Sequence, residues 1–282
     1  MEIKDLRKEY LLMQNEHKDI MSDFFLIVSH IIKVATSSLT PYVDIDDKRV
    51  KRIRKLMARH ISGEPVQKVI GYSMFYDCII PYSRHTLTPR METELLVEKV
   101  LDEIKGKKSK ILDMCSGSGC IGIAIAKHSD SRVVSADISK YAIKETKQNA
   151  KLNFVDIEVV QSDMFQNMKE RFDIIVSNPP YIPDYEYQML DKMVKKYDPK
   201  LALQADEDGL AYYKVIANEA YRYLNPNGKI FLEIGYNQGY KVKNLLQSNY
   251  QDIEVIQDYS GNDRIVVAKV KNENIEKDNK RR

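Results

Sequence analysis

The sequence predicts an α/β fold in which a mostly parallel, seven-stranded sheet follows a small helical domain. Two observations support this prediction. Residues 1–64 contain a single glycine, and their apolar residues recur at helical spacing. From residue 110 onward, short β-prone runs alternate with helical patterns, as in parallel sheets whose strands are joined by helices.

The N-terminal 64 residues are predicted to form three to four helices. Pro41 and the acids from Asp44 to Asp47 separate the last two helical groups, and acids favour a helix N-terminus. The run Gly63-Glu64-Pro65 ends the helical region. The apolar positions are Leu6, Tyr10 and Met13, then Ile20, Phe24, Ile27, Val28, Ile31 and Ile32, and then Val50, Ile53, Leu56 and Met57.

The remainder divides into a connector, a larger domain and a tail. Residues 65–90 contain β-prone runs around Gly71 and are predicted to be a β-hairpin connector. The larger domain is expected over residues 91–270, with a turn at Gly261 joining its last two strands as an antiparallel hairpin. Residues 271–282 are polar and charged, so we predict a disordered tail. The expected strands are 111–114, 132–136, 157–161, 172–177, 229–234, 253–257 and 265–270.

The composition excludes several classes of protein. A net charge of +3 does not indicate a nucleic-acid partner, and the three cysteines and five histidines show no metal-binding or disulfide spacing. The longest apolar run, Phe24 to Ile32, is too short to cross a bilayer, and the first residues lack the order of a signal peptide. We expect a cytoplasmic protein with no metal and no membrane partner.

The most informative motif is Asn178-Pro179-Pro180-Tyr181, directly after the strand predicted over 172–177. Two prolines fix φ twice and remove two backbone donors, which makes a stiff corner. The Asn178 side-chain oxygen and a nearby backbone carbonyl would complement the two hydrogens of a planar NH₂ group. The corner therefore indicates a site for a planar nitrogen, either an amide or the exocyclic amine of a base. A plain proline turn is the competing interpretation.

A glycine-rich loop follows the first strand of the sheet and opens a helix. It runs from Asp113 to Gly119, and Asp137 follows the next strand, where a carboxylate could accept from both hydroxyls of a ribose. The alternative for Asp137 is a helix N-cap. The loop lacks the spacing of a P-loop or a dinucleotide site, and the acid Asp113 suits a cationic cofactor such as S-adenosylmethionine.

The third strand is followed by a second candidate for nucleoside contacts. Asp163 could accept from the adenine amine, and Met164 or Phe165 could pack on the adenine face. For the two apolar residues, core packing is the alternative.

With these motifs, the chain resembles the Rossmann-like class I S-adenosylmethionine-dependent methyltransferases. More narrowly, it resembles the peptide-chain release factor N5-glutamine methyltransferases, the PrmC/HemK family, over nearly its whole length. Three positions depart from the family pattern. Cys115 stands where the family has a loop glycine, Met164 stands where family members often have an aromatic residue, and Asp198 precedes Pro199 where the family has glutamate. The matching segments are 63–65, 88–94, 113–119, Asp137, 162–163, 177–182 and 261–264.

The resemblance implies an enzyme that methylates the glutamine amide of the Gly-Gly-Gln motif in class 1 release factors. Asn178, Pro179 and Tyr181 would be catalytic, with Pro180 also contacting the substrate. The N-terminal helices would recognise the protein substrate. S-adenosylmethionine would be bound by Cys115, Ser116, Gly117, Ser118, Gly119, Asp137, Asp163, Met164 and Asn178.

Two other functions remain open at this stage. A nucleic-acid methyltransferase of the N6-adenine or N4-cytosine type uses the same Asn-Pro-Pro-Tyr tetrad. However, the acids Asp184, Glu186 and Asp191 just after the tetrad disfavour a phosphate-rich partner. A cofactor-binding module without catalysis would not need the tetrad. We expect a monomer that requires no direct contact with nucleic acid.

Overall fold

The computed structural model describes residues 1–11, 13 and 20–279. The chain divides into two compact units, Met1–Tyr72 and Ser73–Arg282. The boundary lies eight residues beyond the one predicted at residue 64. The reason is that the sequence continues with a short helix whose Val66 and Val69 are buried in the core of the first unit.

The first unit is helical, as predicted, and most of the residues that showed helical spacing are buried in its core, together with Ile3, Ile45, Val66 and Val69. Asp46 caps the third helix, because its carboxylate accepts a hydrogen bond from the Arg49 backbone nitrogen at 2.9 Å. The fully buried residues at its centre are Leu6, Phe24, Ile27, Val28, Ile53 and Met57. The helices are α1 (Ile3–Leu11), α2 (Ile20–Ile32), α3 (Asp47–Ile61) and α4 (Val66–Ile70).

The second unit contains a seven-stranded sheet in the order β5-β4-β3-β6-β7-β9-β8, which confirms the predicted fold class. All pairs are parallel except β7 with β9 and β8 with β9, so an antiparallel hairpin closes one edge. A separate hairpin of β1 (Tyr72–Phe75) and β2 (Cys78–Pro81) precedes it. The sheet strands are β3 (Lys110–Met114), β4 (Arg132–Asp137), β5 (Glu158–Gln161), β6 (Phe172–Ser177), β7 (Leu224–Glu233), β8 (Tyr250–Gln257) and β9 (Asp263–Val270).

Helices cover both faces of this sheet, over two separate hydrophobic clusters. Strand alternation divides neighbouring residues between them: Ile111 lies in one cluster, while Leu112 and Met114 lie in the other. The helices are α5 (Met91–Glu103), α6 (Cys120–Lys127), α7 (Lys140–Leu152), α8 (Asp184–Met189), α9 (Lys192–Tyr197), α10 (Asp206–Gly209), α11 (Ala211–Glu219), α12 (Gly239–Leu246) and α13 (Asn272–Asn279).

The parallel register aligns the carboxyl ends of the central strands. Met114 at the end of β3 pairs with Ala136 of β4 and with Ser177 of β6. The end of β4 pairs with the end of β5, at Asp137 and Gln161. The segments that follow these strands therefore meet at one edge of the sheet, which is where open α/β sheets bind ligands.

The predicted disordered tail is wrong for residues 272–279, which form α13. Ile275 is buried in the core of the second unit, and Asp278 lies 3.5 Å from the Arg171 guanidinium. One buried apolar residue, ion pairs of Asp278 with Arg171 and Arg222, and side-chain hydrogen bonds such as that from Asn274 to the Ser248 carbonyl attach a segment whose composition is otherwise typical of disorder. The last part of the predicted tail, 280–282, lies outside the described residues.

Within the described ranges, no helix combines the length and the apolar composition needed to cross a bilayer.

Candidate active site

A cleft opens at the carboxyl edge of the sheet in the second unit. It brings together residues from the loops after β3, β4, β5 and β6, as the sequence predicted. Gly119, Pro179 and Tyr181 are the predicted site residues that do not line it. The predicted residues that line it are Cys115, Ser116, Gly117, Ser118, Asp137, Asp163, Met164, Asn178 and Pro180.

The loop after β3 turns sharply through three residues with positive φ: Cys115 at 60°, Gly117 at 55° and Gly119 at 79°. Gly119 is required sterically, because a Cβ at this position would lie 2.6 Å from Cγ2 of Thr146. Helix α7 holds the loop, since the Thr146 hydroxyl donates to the Gly117 carbonyl at 3.1 Å and the Asn149 amide donates to the Ser118 carbonyl at 2.9 Å.

Cys115 retains the turn of the usual glycine despite its Cβ. A left-handed backbone costs an ordinary residue about 1–2 kcal/mol. The thiol is partly buried, and its sulfur lies 3.9 Å from that of Met164. Burial raises the pKa of the Cys115 thiol, so the group stays protonated and unreactive at neutral pH.

Asp137 links the loop after β3 to the start of α7. Its Oδ2 accepts from the Gly117 backbone nitrogen at 2.9 Å, and its Oδ1 accepts from the Ser139 backbone nitrogen at 2.8 Å. The helix N-cap is Ser139, whose hydroxyl accepts from the Ala142 nitrogen at 3.4 Å. Burial raises the pKa of Asp137, and the backbone donors act in the opposite direction. Each carboxylate oxygen retains acceptor capacity for a ligand.

Asp113 does not line the cleft, which corrects the idea that it faces a cationic cofactor. Strand alternation turns its side chain to the opposite side, beneath α6. There Oδ2 accepts from the Gly122 nitrogen at 3.1 Å and from the Ser135 hydroxyl at 3.2 Å. A Cβ on Gly122 would lie 2.9 Å from this oxygen, so glycine is needed for the close approach. Burial raises the pKa of Asp113 to about 7.

The segment after β5 separates the two apolar candidates for stacking on a base. Met164 lines the cleft with a φ of 44°, whereas Phe165 is buried and stacks on Tyr223 with ring centroids 5.0 Å apart. Core packing is therefore the role of Phe165. Asp163 is exposed at the cleft, and among the described residues its carboxylate accepts one side-chain hydrogen bond, from the Gln166 amide at 3.4 Å.

The Asn-Pro-Pro-Tyr corner contributes Asn178 and Pro180 to the cleft wall. The Asn178 side-chain nitrogen lies 3.4 Å from the hydroxyl oxygen of Thr93, in the first turn of α5. Pro179 is buried. Tyr181 packs against the core, and burial raises its pKa to about 12.

The carbonyl of Tyr181 fixes the chain beyond the corner. It accepts from the Gln238 side-chain amide at 3.0 Å. A Cβ on Gly209, whose φ is 80°, would lie only 2.2 Å from the same carbonyl oxygen. Two further backbone bonds, from Ile182 to Leu203 and from Ala205 to Ile182, hold the following segment.

The segment 83–90 contributes His85, Thr86 and Leu87 to a part of the cleft wall that the motifs did not reveal, next to Pro89 and Arg90 of the stretch that the family resemblance had matched. Two carboxylates anchor this segment. Glu145 of α7 accepts from the Ser83 and Thr86 hydroxyls at 2.6 and 2.9 Å. Asp198 accepts from the Arg90 guanidinium at 2.6 Å, which offsets the positive charge of Arg90 at the cleft. The resemblance had marked Arg90 and Asp198 as family positions without their contact.

Other lining residues were also missed by the sequence analysis. They carry no motif and come from distant segments: Thr93, Leu201, Ala202 and Tyr212 are examples. The one available signal was the position of Thr93 near the start of a helix that follows the family's proline-arginine stretch.

The polar groups of the cleft fit S-adenosylmethionine. The hydroxyls of Ser116 and Ser118 are buried and have no hydrogen-bond partner within the described part of the chain. The backbone at Gly117 is open, with no atom within 4 Å of a Cβ position. The acceptors Asp137 and Asp163 suit a ribose diol, an adenine amine and positive charge.

Comparisons with known proteins agree with this geometry. A family model for the methyltransferase small domain matches residues 90–206. A release factor glutamine methyltransferase of Lactococcus lactis is 41% identical over 80% of this chain and 84% of its own length. Another from Fusobacterium nucleatum is 35% identical over 98% of this chain and 83% of its own length.

Solved structures confirm the fold. A methyltransferase from Pyrococcus furiosus superposes with a TM-score of 0.53 at 18% identity, covering 80% of this chain and 98% of that one. A 16S rRNA methyltransferase from Thermus thermophilus, in complex with AdoMet and guanosine, gives a TM-score of 0.51 at 18% identity over 71% of this chain and 50% of that one. The identity with the curated relatives over most of the chain is decisive: this chain belongs to the release factor glutamine methyltransferase family.

Proposed function

We propose that this chain methylates the side-chain amide nitrogen, N5, of a glutamine in a peptide-chain release factor, with S-adenosylmethionine as methyl donor. The glutamine is that of the Gly-Gly-Gln motif of class 1 release factors. The single observation that carries the proposal is the position of Asn178. Its side chain borders the cleft while its nitrogen lies against Thr93. This arrangement leaves the amide oxygen as an acceptor for a substrate NH₂ group.

The loops after β3, β4 and β5 would hold the cofactor. Asp137 would accept from its ribose hydroxyls, Asp163 from its adenine amine, and Met164 would pack on the adenine face. The backbone of residues 115–119 would approach it closely, because the positive φ of Gly117 leaves the main chain uncovered. S-adenosylmethionine supplies an electrophilic methyl group on a positively charged sulfur.

The protein must orient a poor nucleophile. An amide nitrogen is weakly nucleophilic because its lone pair is delocalised into the carbonyl group. The Asn178 oxygen would accept one of its hydrogens and direct the nitrogen toward the donor. The family resemblance gives the second hydrogen to the carbonyl of Pro179, a residue that does not itself line the cleft. Orientation of this kind can supply about 7–11 kcal/mol in the best cases. Tyr181 would support the corner from the core side, where it is packed.

No strong base is needed in this scheme. An amide nitrogen that has gained a methyl group is very acidic and loses its proton to water or to a carbonyl oxygen. The residues of the Asn-Pro-Pro-Tyr corner and Thr93 agree with this scheme, because none of their side chains acts as a general base at neutral pH.

The N-terminal unit would take part in recognising the release factor, because a three-residue substrate motif offers few contacts for specificity. Its core is independent of the second unit's clusters, so it can present its own surface. We further propose that the chain acts as a cytoplasmic monomer and needs no nucleic acid in its substrate complex.

A nucleic-acid amine is the competing substrate, and the residues after the tetrad oppose it. Asp184 and Glu186 stand in the first turn of α8, and Asp191 caps α9. Three carboxylates next to the corner would repel phosphates.

One experiment distinguishes the two substrates. The chain is incubated with radiolabelled S-adenosylmethionine and, in separate reactions, a class 1 release factor, duplex DNA and ribosomal RNA. The matched control is the release factor with its Gly-Gly-Gln glutamine changed to glutamate. We expect label in the unaltered release factor alone, and a gain of one methyl group on the glutamine peptide by mass spectrometry. Label in nucleic acid, or equal label in the glutamate control, would contradict the proposal.

A further inference from the structure

Glu233 is a buried carboxyl group that the mechanism above does not use. It is the last residue of β7 and only 2% exposed. Its strand pairs in parallel with β6, with Leu232 opposite Ser177. The next residue of each strand is Glu233 and Asn178, so the register brings the carboxyl group beside the proposed catalytic amide.

Two groups that can donate hydrogen bonds lie near this carboxyl group. Burial raises the pKa of Glu233 to about 7, and the nearby Thr93 hydroxyl, the charge of Arg264 and the Asn178 amide oppose that rise. Oε2 has no hydrogen-bond partner among the residues that the structure describes. Arg264 is itself held by Asp258, whose Oδ2 accepts from its guanidinium at 3.1 Å.

The directions of these hydrogen bonds depend on the carboxylate. An ionised carboxylate only accepts, so a hydrogen bond between Thr93 and Glu233 uses the single hydroxyl proton of Thr93. The lone pairs of the Thr93 oxygen are then left for the Asn178 nitrogen, 3.4 Å away. The Glu233 carboxylate and the Thr93 oxygen are therefore both acceptors, and both favour the orientation in which the NH₂ group of Asn178 points toward them.

We propose that Glu233 is a positioning residue that fixes the side-chain amide of Asn178 with its oxygen toward the cleft. An asparagine amide can otherwise turn over and exchange its oxygen and nitrogen. In the turned orientation, its oxygen would face the carboxylate and its NH₂ group would face the NH₂ of the substrate. Glu233 does not line the cleft, so it acts through Asn178. The catalytic consequence rests on the proposed function, whereas the contact itself does not.

The contact is tested in the ligand-free protein by ¹⁵N NMR of the Asn178 side-chain amide, assigned by its loss in Asn178→Ala. We expect Glu233→Leu to accelerate hydrogen exchange of this amide about tenfold or more, because one accepted hydrogen bond is lost. Glu233→Gln retains an acceptor oxygen and should stay within about threefold of the unaltered protein. Asp113→Asn is the matched control: it neutralises a carboxyl that is equally buried but lies beneath α6, and should leave the Asn178 signal unchanged.

The consequence is tested by kinetics with a release factor. Glu233→Leu should lower kcat about 100-fold, the loss expected when one preorganised polar group is misplaced, while the Kd for S-adenosylmethionine stays within about threefold. Glu233→Gln should recover kcat to within about tenfold of the unaltered enzyme.

Each outcome decides the proposal. An Asn178 signal that does not respond to Glu233→Leu would overturn it, as would a Glu233→Gln variant as inactive as Glu233→Leu. If Glu233→Leu does not fold, Thr93→Val provides the same exchange test, because it removes the hydroxyl oxygen that accepts from the Asn178 nitrogen. If the unaltered chain methylates no release factor, the proposed function fails, and the NMR measurement still decides the orientation.

Discussion

Replacing Asp137 with asparagine tests how the cleft holds its ligand. The carboxylate accepts two backbone hydrogen bonds, from Gly117 at 2.9 Å and from Ser139 at 2.8 Å. An asparagine side chain has one oxygen, so one of these N–H groups would face an NH₂ group instead. A hydrogen bond to a charged acceptor contributes about 1.5–3 kcal/mol. Because burial raises the pKa of Asp137, removing its buried charge offsets part of this loss. We expect the free energy of unfolding to fall by up to about 3 kcal/mol, which lowers the melting temperature by up to about 12 °C.

The same change should weaken cofactor binding separately from stability. A ribose diol would lose one ionised acceptor, and a second loss of about 1.5–3 kcal/mol corresponds to about 10- to 150-fold in Kd. Isothermal titration calorimetry with S-adenosylmethionine measures this directly, at a temperature where circular dichroism shows the variant to be folded.

Asp163→Asn is the control for the stability part. It removes an acid at the same cleft, but the carboxylate of Asp163 is exposed and accepts only the 3.4 Å hydrogen bond from Gln166 among the described side chains. Its melting temperature should stay within about 2 °C of the unaltered protein, since surface changes rarely exceed about 0.5 kcal/mol. A folded Asp137→Asn protein that binds S-adenosylmethionine within twofold of the unaltered chain would refute the reasoning.

Three other predictions concern stability. The variants Cys115→Gly and Cys115→Ala together measure the backbone strain at residue 115, where φ is 60°. In urea unfolding, the Cys115→Gly protein should be more stable than the Cys115→Ala protein by about 0.5–1 kcal/mol. Equal stability of the two variants would show that the turn is unstrained. The pKa of Asp113 is raised from 3.8 to about 7, so the folded state binds this proton more tightly than the unfolded state, and the free energy of unfolding should fall as pH rises between these values. Asp113→Asn should reduce that fall by up to about 1.4 kcal/mol per pH unit, and an unchanged pH dependence would contradict the assignment. Gly209→Ala places a Cβ 2.2 Å from the Tyr181 carbonyl at a φ of 80°, and should lower the free energy of unfolding by about 2–4 kcal/mol in the same assay; a change below about 0.5 kcal/mol would show that the segment relaxes without strain.

The sequence allowed the fold and much of the cleft to be predicted because the relevant signals are local. Strands and helices alternate with clear periods, and residues that follow parallel strands must meet at one edge of the sheet. Asp137, Asp163 and Asn178 were assigned to one site by their motifs and by the family resemblance, and the structure places all three at this edge.

The missed features depend on contacts between distant segments. Asp113 lies near the end of β3, just before the glycine-rich loop, so the sequence suggested that it faces the ligand. The alternation of the strand instead turns its side chain beneath α6, where the absence of a Cβ at Gly122 leaves room for the carboxylate. Glu233 lies beside Asn178 because β7 is the strand that pairs with β6. The order of strands in a sheet cannot be predicted from the sequence of any single segment.

Short elements were missed for a different reason. Helices α8 and α9 have six residues each, fewer than two turns, so hydrophobic periodicity cannot reveal them. The tail was predicted to be disordered from its composition, yet the buried Ile275 and the polar contacts of Asn274 and Asp278 attach its helix to the second unit.

The central claim is that the Asn178 oxygen orients the substrate amide beside the methyl donor. It is tested most directly by measuring, for Asn178→Ala, both the single-turnover rate of methyl transfer to a class 1 release factor and the Kd for S-adenosylmethionine. We expect the rate to fall about 10²–10³-fold or more, as when one preorganised group is removed from a transition state, while the Kd changes by less than about threefold. A variant that transfers methyl groups at a rate near that of the unaltered chain would contradict the account.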